Sequence, residues 1–331
     1  MTHLVRRFFV AVFFLGVFAS SLSAQEQTVD QLQAALDDGT LTVVEGWLEA
    51  KGKTRLSPQQ RYIKGQYLLR TDKPKEALKD LEAAAKAFPE NENIWLSVAE
   101  AAGDAAGKAG LMSAGGLAKT ARKALDRVVA LNPQNLSARE GLIQFHTQAP
   151  WVMGGRTKEA YRQAEAIGKI DSVRGRSWKA RIDLIEGDTD AAETTFRSIL
   201  AQNPTHEGAG VGLATLLQQE EQWSEAIQVL TPLAQDDPPN LIAVYQIGRT
   251  GALSGEFLDT AETSMRRYLA LAEKELKADR PIPLSPAWWR LGMVLQHQEK
   301  LADAKAAYQK ALSLDPDNDT VKKALKALPT G

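Results

Sequence analysis

Apolar and small residues recur along this chain in a set order. In "SPAWWRLGMVLQHQEKLADAKAAYQKALSLDPDN", near the C-terminus, Trp288, Leu291 and Gly292 share one helical face, Ala304, Tyr308 and Ala311 share another, and Pro316 ends the run. Apolar positions three and four residues apart mark amphipathic helices. Two such helices joined by a polar turn cross closely only where small residues meet, here Gly292 and Ala304. Large side chains fill the space between, and proline cannot continue the second helix.

The same order returns upstream. "QQRYIKGQYLLRTDKPKEALKDLEAAAKAFP" places Gly65, Ala77, Ala84 and Pro89 in register. "WKARIDLIEGDTDAAETTFRSILAQNP" places Ala180, Gly187, Ala192, Phe196 and Pro204, and Ala214, Ala226, Gly248 and Ala261 follow. The alanines of the second helices are Ala77, Ala121, Ala160, Ala192, Ala226, Ala261 and Ala304, spaced by 44, 39, 32, 34, 35 and 43 residues. The spacings locate insertions near 103–116, 147–156 and 270–284. The first, with "GLMSAGG", reads as an enlarged loop. The third lengthens a helix and breaks it at Pro281 and Pro283. The first two interrupt the same turn in adjacent repeats and are expected to lie side by side.

This order resembles the tetratricopeptide repeat: Trp288, Leu291, Gly292, Ala304, Tyr308, Ala311 and Pro316 fall at its positions 4, 7, 8, 20, 24, 27 and 32. The resemblance implies an all-α superhelical solenoid of antiparallel helix hairpins. The repeat array is placed at 57–318, after a degenerate helical hairpin at 25–56, with a capping helix and tail at 319–331. "GGLAKTAR" (Gly115 to Arg122) and "APWVMGG" (Ala149 to Gly155) are similar to segments of exported bacterial tetratricopeptide-repeat proteins. That group implies fold and compartment, not an activity. A fainter similarity is to the tetratricopeptide-repeat subunit of periplasmic substrate-transport systems, which also uses a Gly-Gly turn.

The N-terminus changes the picture of where the protein works. Arg6 and Arg7 precede "FFVAVFFLGVF", and "ASSLSA" follows. A charged segment, an apolar segment and small residues make a secretory signal peptide. Residues 1–24 are assigned to it, with cleavage after Ala24 or a few residues earlier because Leu22 is imperfect at its position. The apolar run from Phe8 to Phe18 is shorter than the roughly 20 residues of a membrane span. The expected location is periplasmic or secreted, with no membrane span after cleavage. Composition is that of an ordinary globular protein, 44% hydrophobic with a net charge of −1, and gives no sign of nucleic acid. Without cysteine there is no disulfide, thiolate or cysteine-based metal site. No catalytic residue, cofactor or metal site is assigned, and the chain is read as not an enzyme.

What the resemblance implies about binding is a concave groove lined by positions 2, 5, 9, 12 and 13 of each first helix. Carried over, these are Tyr62, Gln66 and Arg70; Glu140 and Gln144; Arg174 and Arg181; Tyr245 and Arg249; and Trp289, Met293 and His297. The Lys/Asn pair with which chaperone adaptors of this family hold a C-terminal carboxylate is missing at positions 5 and 9. Arg174, Arg181 and Arg249 suit an acidic peptide or carboxylate, or else pair with nearby acids. Tyr245, Trp289 and Met293 suit a peptide contact, or else pack between repeats. His146 falls at a packing position and reads as a packed ring.

One loop is unusual. "FHTQAPWVMGGRTKEA" sets Trp151 and Met153 before Gly154-Gly155, where a polar turn is the norm. Thr157 is expected to cap the helix that follows. A helix N-terminus beside Arg156 and Lys158 also suits an anion, against a plain turn and cap. Trp151 and Met153 either fold down on Leu111 and Met112 of the neighbouring insertion or form a partner-binding edge. Burial is favoured because apolar loop residues commonly cover core. The function expected is a non-catalytic scaffold or adaptor in the cell envelope that binds a peptide segment or protein in its groove. The alternative is a small-ligand-binding accessory of an envelope transport system.

Overall fold

The computed structural model describes residues 27–151, 154–236, 238–276 and 284–329. The described residues form helices and turns without a strand. A short hairpin opens the array, α1 (Val29–Asp37) and α2 (Leu41–Lys51). Then come α3 (Pro58–Arg70) with α4 (Pro74–Ala87), α5 (Glu92–Gly107) with α6 (Leu111–Leu131), and α7 (Leu136–Gln148) with α8 (Thr157–Gly168). The second half pairs α9 (Ser172–Glu186) with α10 (Thr189–Leu200), α11 (Glu207–Gln219) with α12 (Trp223–Gln235), α13 (Leu241–Ser254) with α14 (Leu258–Leu276), and α15 (Leu284–His297) with α16 (Leu301–Leu314). A last helix, α17 (Asp319–Ala327), lies against α16.

The two helices of a hairpin begin differently, and the difference follows from sequence. Most odd-numbered helices start on a capping side chain: Ser57, Asn91, Asn135, Asp171, His206 and Asn240 each accept a backbone N–H of the first turn. Such caps satisfy donors that would otherwise be orphaned. Even-numbered helices α4, α12 and α16 have no side-chain cap. They follow a tight turn in which Asp72, Glu221 and Glu299 hold left-handed backbone angles, as does Phe257 before α14, with φ of 52–62°.

Close crossing of the two helices is visible at the small residues. All seven alanines picked out by the repeat spacing are buried. A Cβ on Gly65, Gly248 or Gly292 would lie 2.5–2.6 Å from Leu81, Met265 or Tyr308 of the paired helix. Between α8 and α9 the approach is backbone to backbone: a Cβ on Gly175 would sit 2.3 Å from Gly168 Cα.

Curvature comes from unequal packing. Consecutive odd-numbered helices touch, α9 to α11, α11 to α13 and α13 to α15, while no even-numbered pair packs comparably. The odd helices therefore line the inside of the curve. α7 is the exception, since its backbone stands off from both α5 and α9.

Three expectations need correction. The first insertion is helix, not loop: α6 spans 21 residues from Leu111 and absorbs "LMSAGG", with Gly110 as its N-cap. Thr157 does not cap α8. Arg156 occupies the cap position without a side-chain bond, and Thr157 Oγ1 donates to Glu186 Oε1 at 3.0 Å. Trp151 is not buried but 79% exposed. The ring stands out from a tight turn. Gly154 N–H bonds Trp151 O at 3.0 Å, Gly155 N–H bonds Pro150 O at 3.3 Å, and Gly154 takes φ 101°. Met153 lies outside the described residues, as do residues 1–24, expected to be a signal peptide, and Pro281 and Pro283. The third insertion does lengthen its helix, α14, to 19 residues.

Candidate functional site

The inner face is built from one side of each odd helix, and its two ends differ in chemistry. On α3 the residues are committed to the fold. Gln66 Nε2 donates to Tyr62 Oη at 2.6 Å, and Arg70 Nη1 donates to the Leu36 carbonyl of α1. Burial pushes the Tyr62 hydroxyl above its ordinary range, so it stays protonated.

Glu140 of α7 is the centre of a bridge to α9. Its carboxylate accepts from Arg174 Nε at 2.5 Å and Nη2 at 2.8 Å, and from Trp178 Nε1 at 2.6 Å. Bidentate pairing of this kind fixes geometry. The hydrogen bond to Glu140 raises the Arg174 guanidinium further. Arg174 is thus occupied within the protein, in line with the pairing alternative for it. Gln144, one turn on, is exposed.

Farther along, cations stand without an ion-pair partner among the described residues. Arg181 stacks on the Trp178 ring with its guanidinium carbon 5.0 Å from the centroid, and reaches the Gly208 carbonyl only at 3.3–3.4 Å. Arg249 of α13 is held by Gln218 Oε1, and Gln218 is in turn fixed by donating to Thr250 Oγ1 at 2.8 Å. Arg290 of α15 lies 4.1 Å over the Trp289 ring and donates to Met293 Sδ at 3.2 Å, while its buried Nε has no partner. Burial lowers the guanidinium of Arg181, and for Arg249 the like charge of Arg290 adds to burial. None of the three makes an ion pair among the described residues. Aromatic rings lie alongside: Trp178, Trp289, and Tyr245 tilted on Tyr268 at 5.3 Å.

Trp289, Met293 and His297 come together with Tyr308 and Thr320 around a hollow of about 280 Å³ at the C-terminal end. His146 is half-buried, edge-on to Phe145 at 5.2 Å, and burial lowers its imidazole. Arg290 and Trp178 were not expected on this face, and Gln218, which falls at lining position 12, was not among the residues carried over. Arg290 falls outside the assumed lining positions, although an arginine directly after a groove tryptophan was the available signal. Among the described residues no group of three His, Asp or Glu side chains gathers as a metal set, and no helix is long and apolar enough to cross a membrane.

Tetratricopeptide repeat profiles match residues 62–107, 183–247 and 285–318. No curated protein matches the chain. Among solved structures, the human IFIT1 dimer with PPP-AAAA is similar at a TM-score of 0.54, with 17% identity over 90% of this chain and 70% of that one. The APC/C hetero-tetramer Cut9-Hcn1 is similar at 0.53, with 13% identity over 91% of this chain and 55% of that one. A tetratricopeptide repeat protein from Parabacteroides merdae ATCC 43184 gives 0.45, with 16% identity over 81% and 97%. At these identities the likeness is one of fold. The chain carries tetratricopeptide repeats and folds as their all-α superhelical array.

Proposed function

We propose that this tetratricopeptide-repeat array is a non-catalytic scaffold that holds an acidic peptide segment of a protein partner against its inner face, in the periplasm or outside the cell. The observation that carries the reading is the set of Arg181, Arg249 and Arg290, part-buried cations without an ion pair among the described residues, two of them backed by the Trp178 and Trp289 rings and the third held by Gln218. A planar guanidinium in such a setting gains most from a carboxylate it can grip with two N–H groups. Tryptophan and tyrosine beside it supply contact area at low entropic cost. Export is supported by the charged, apolar and small-residue order of residues 1–24.

The test is titration of the chain from Gln25 onward with a fluorescein-labelled peptide rich in Asp and Glu and carrying one aromatic residue. Binding weakened about tenfold or more by Arg181→Ala with Arg249→Ala is expected, equivalent to about 1.4 kcal/mol. Equal affinity for a lysine-rich counterpart would sink the proposal. A small molecule retained through purification and seen by native mass spectrometry would favour the transport-accessory alternative.

A further inference from the structure

A slot opens where the succession of inner helices is interrupted, between α5 and α7. The two helices are tied at their N-terminal ends. Glu92 at the start of α5 accepts from Asn135 Nδ2 at 3.1 Å and Asn132 Nδ2 at 3.4 Å. They diverge from there, and α6 forms the floor. The space between is about 750 Å³.

Both of the first two insertions contribute to it. The first insertion supplies Gly103, Asp104, Ala106, Gly107 and Ala114, and the Trp151 turn supplies Ala149 and Pro150. The floor residues Ala114, Ala118, Ala121 and Leu125 fall on one stripe of α6. The three alanines are small, and with Leu125 they leave the slot open and apolar.

Its charge is one-sided. Glu100 and Asp104 are the charged residues on its walls, one helical turn apart on α5. The basic groups nearest them are engaged elsewhere: Arg70 donates to the Leu36 carbonyl, and Lys108 pairs with Asp72. Glu100 and Asp104 make no ion pair among the described residues. Burial raises both carboxyls; for Glu100 the neighbouring Asp104 adds to it against the charge of Arg70, and for Asp104 the charge of Lys108 opposes it ahead of the smaller push from Asp72. An arriving cation would offset the cost of burying the two carboxylates.

We infer that the slot between α5 and α7 is a second binding site, which takes a helical segment of a protein partner with an apolar stripe and two Lys or Arg residues one turn apart. The one-turn spacing of the carboxylates matches i, i+4 cations on the guest, and an open groove between two helical walls matches a helix rather than an enclosed small molecule. The slot occupies a different stretch of the inner face from Arg181, Arg249 and Arg290 and has the opposite charge, so neither reading depends on the other.

The experiment uses the chain from Gln25 onward and a fluorescein-labelled helical peptide with a Leu/Ala stripe and two lysines four residues apart. Its counterpart has glutamates in place of the lysines. Gly103→Leu is the blocking variant, because a Cβ there meets nothing within 4 Å and the side chain projects into free space. A thermal melt no lower than the parent's shows that it folds. The lysine peptide is expected to bind, to lose about tenfold or more in Glu100→Gln with Asp104→Asn, and to lose binding in folded Gly103→Leu. Arg181→Ala with Arg249→Ala should leave this binding intact, which separates it from the acidic-peptide test. Absence of binding to the parent chain, equal binding of the glutamate peptide, or full affinity in folded Gly103→Leu each overturns the proposal.

Discussion

From α9 to α16 the inner helices follow one another in contact and share a continuous core running from Ala180 to Ala307. From α5 to α9 the same hairpin unit gives a different result. The N-terminal core stops at Leu142, and a small separate cluster of Ile143, Ala160, Ala164, Ile167 and Ile182 fills the gap. One region spends its small residues on bringing helices together, as at Gly248 and Gly292. The other also sets them along Ala114 and Ala118, where nothing packs on top. Small residues thus mean contact or vacancy according to whether a neighbouring helix arrives, and insertion length decides that.

The sharpest way to break the comparison is at the tightest point of the middle region. Gly175→Ala would push a Cβ to 2.3 Å from Gly168 Cα and 2.9 Å from the Ala164 carbonyl, backbone that cannot swing aside. It is expected to destabilise by about 3 kcal/mol, the upper part of the overpacking range, read as a lower denaturant midpoint. Glu140→Ala removes the bridge that ties α7 to α9 and leaves Arg174 unpaired. Because Arg174 is 41% exposed, a loss of about 1–2 kcal/mol is expected after allowing for solvent screening. The melt should broaden as the two cores lose their coupling. An unchanged, equally sharp transition would show that the cores are not joined there.

Smaller effects sharpen the contrast. Gly103→Ala should stabilise by about 0.5–1 kcal/mol, the ordinary helix preference of alanine, since the new methyl meets nothing. Calorimetry would show a higher melting temperature, whereas a decrease would mean the slot is filled. Trp151→Ala should change stability by less than about 0.5 kcal/mol, the usual size of a surface effect. A larger loss on denaturation would mean that the ring is covered.

The repeat was legible because close crossing leaves a mark on sequence: Ala77, Ala192, Ala226 and Ala304 are small because a neighbouring helix forbids anything else. The long α5–α6 hairpin was not. Gly110, Gly115 and Gly116 read as loop, yet Gly115 and Gly116 stand within α6. Each costs a helix about 1 kcal/mol relative to alanine, and the long packed interface with α5 offsets this. Repeat position placed Arg174 and Glu140 on first helices, but their pairing was not legible. Arg174 and Glu140 are 34 residues apart, and only the turn between repeats brings them together. Arg290 was hidden because packing, not repeat position, turned it toward Trp289.

The left-handed turns at Asp72, Glu221, Phe257 and Glu299 have a consequence for how the array can be tuned. Each non-glycine residue there holds a backbone that L side chains adopt only at a cost of about 1–2 kcal/mol. In a one-dimensional array a local change is felt mainly by the unit and its neighbours. Relief at one turn, for example by asparagine, therefore raises the melting of one hairpin and leaves distant ones alone. Thermal resistance can be graded along the molecule, stiff at one end and yielding at the other, without altering a residue of its inner face.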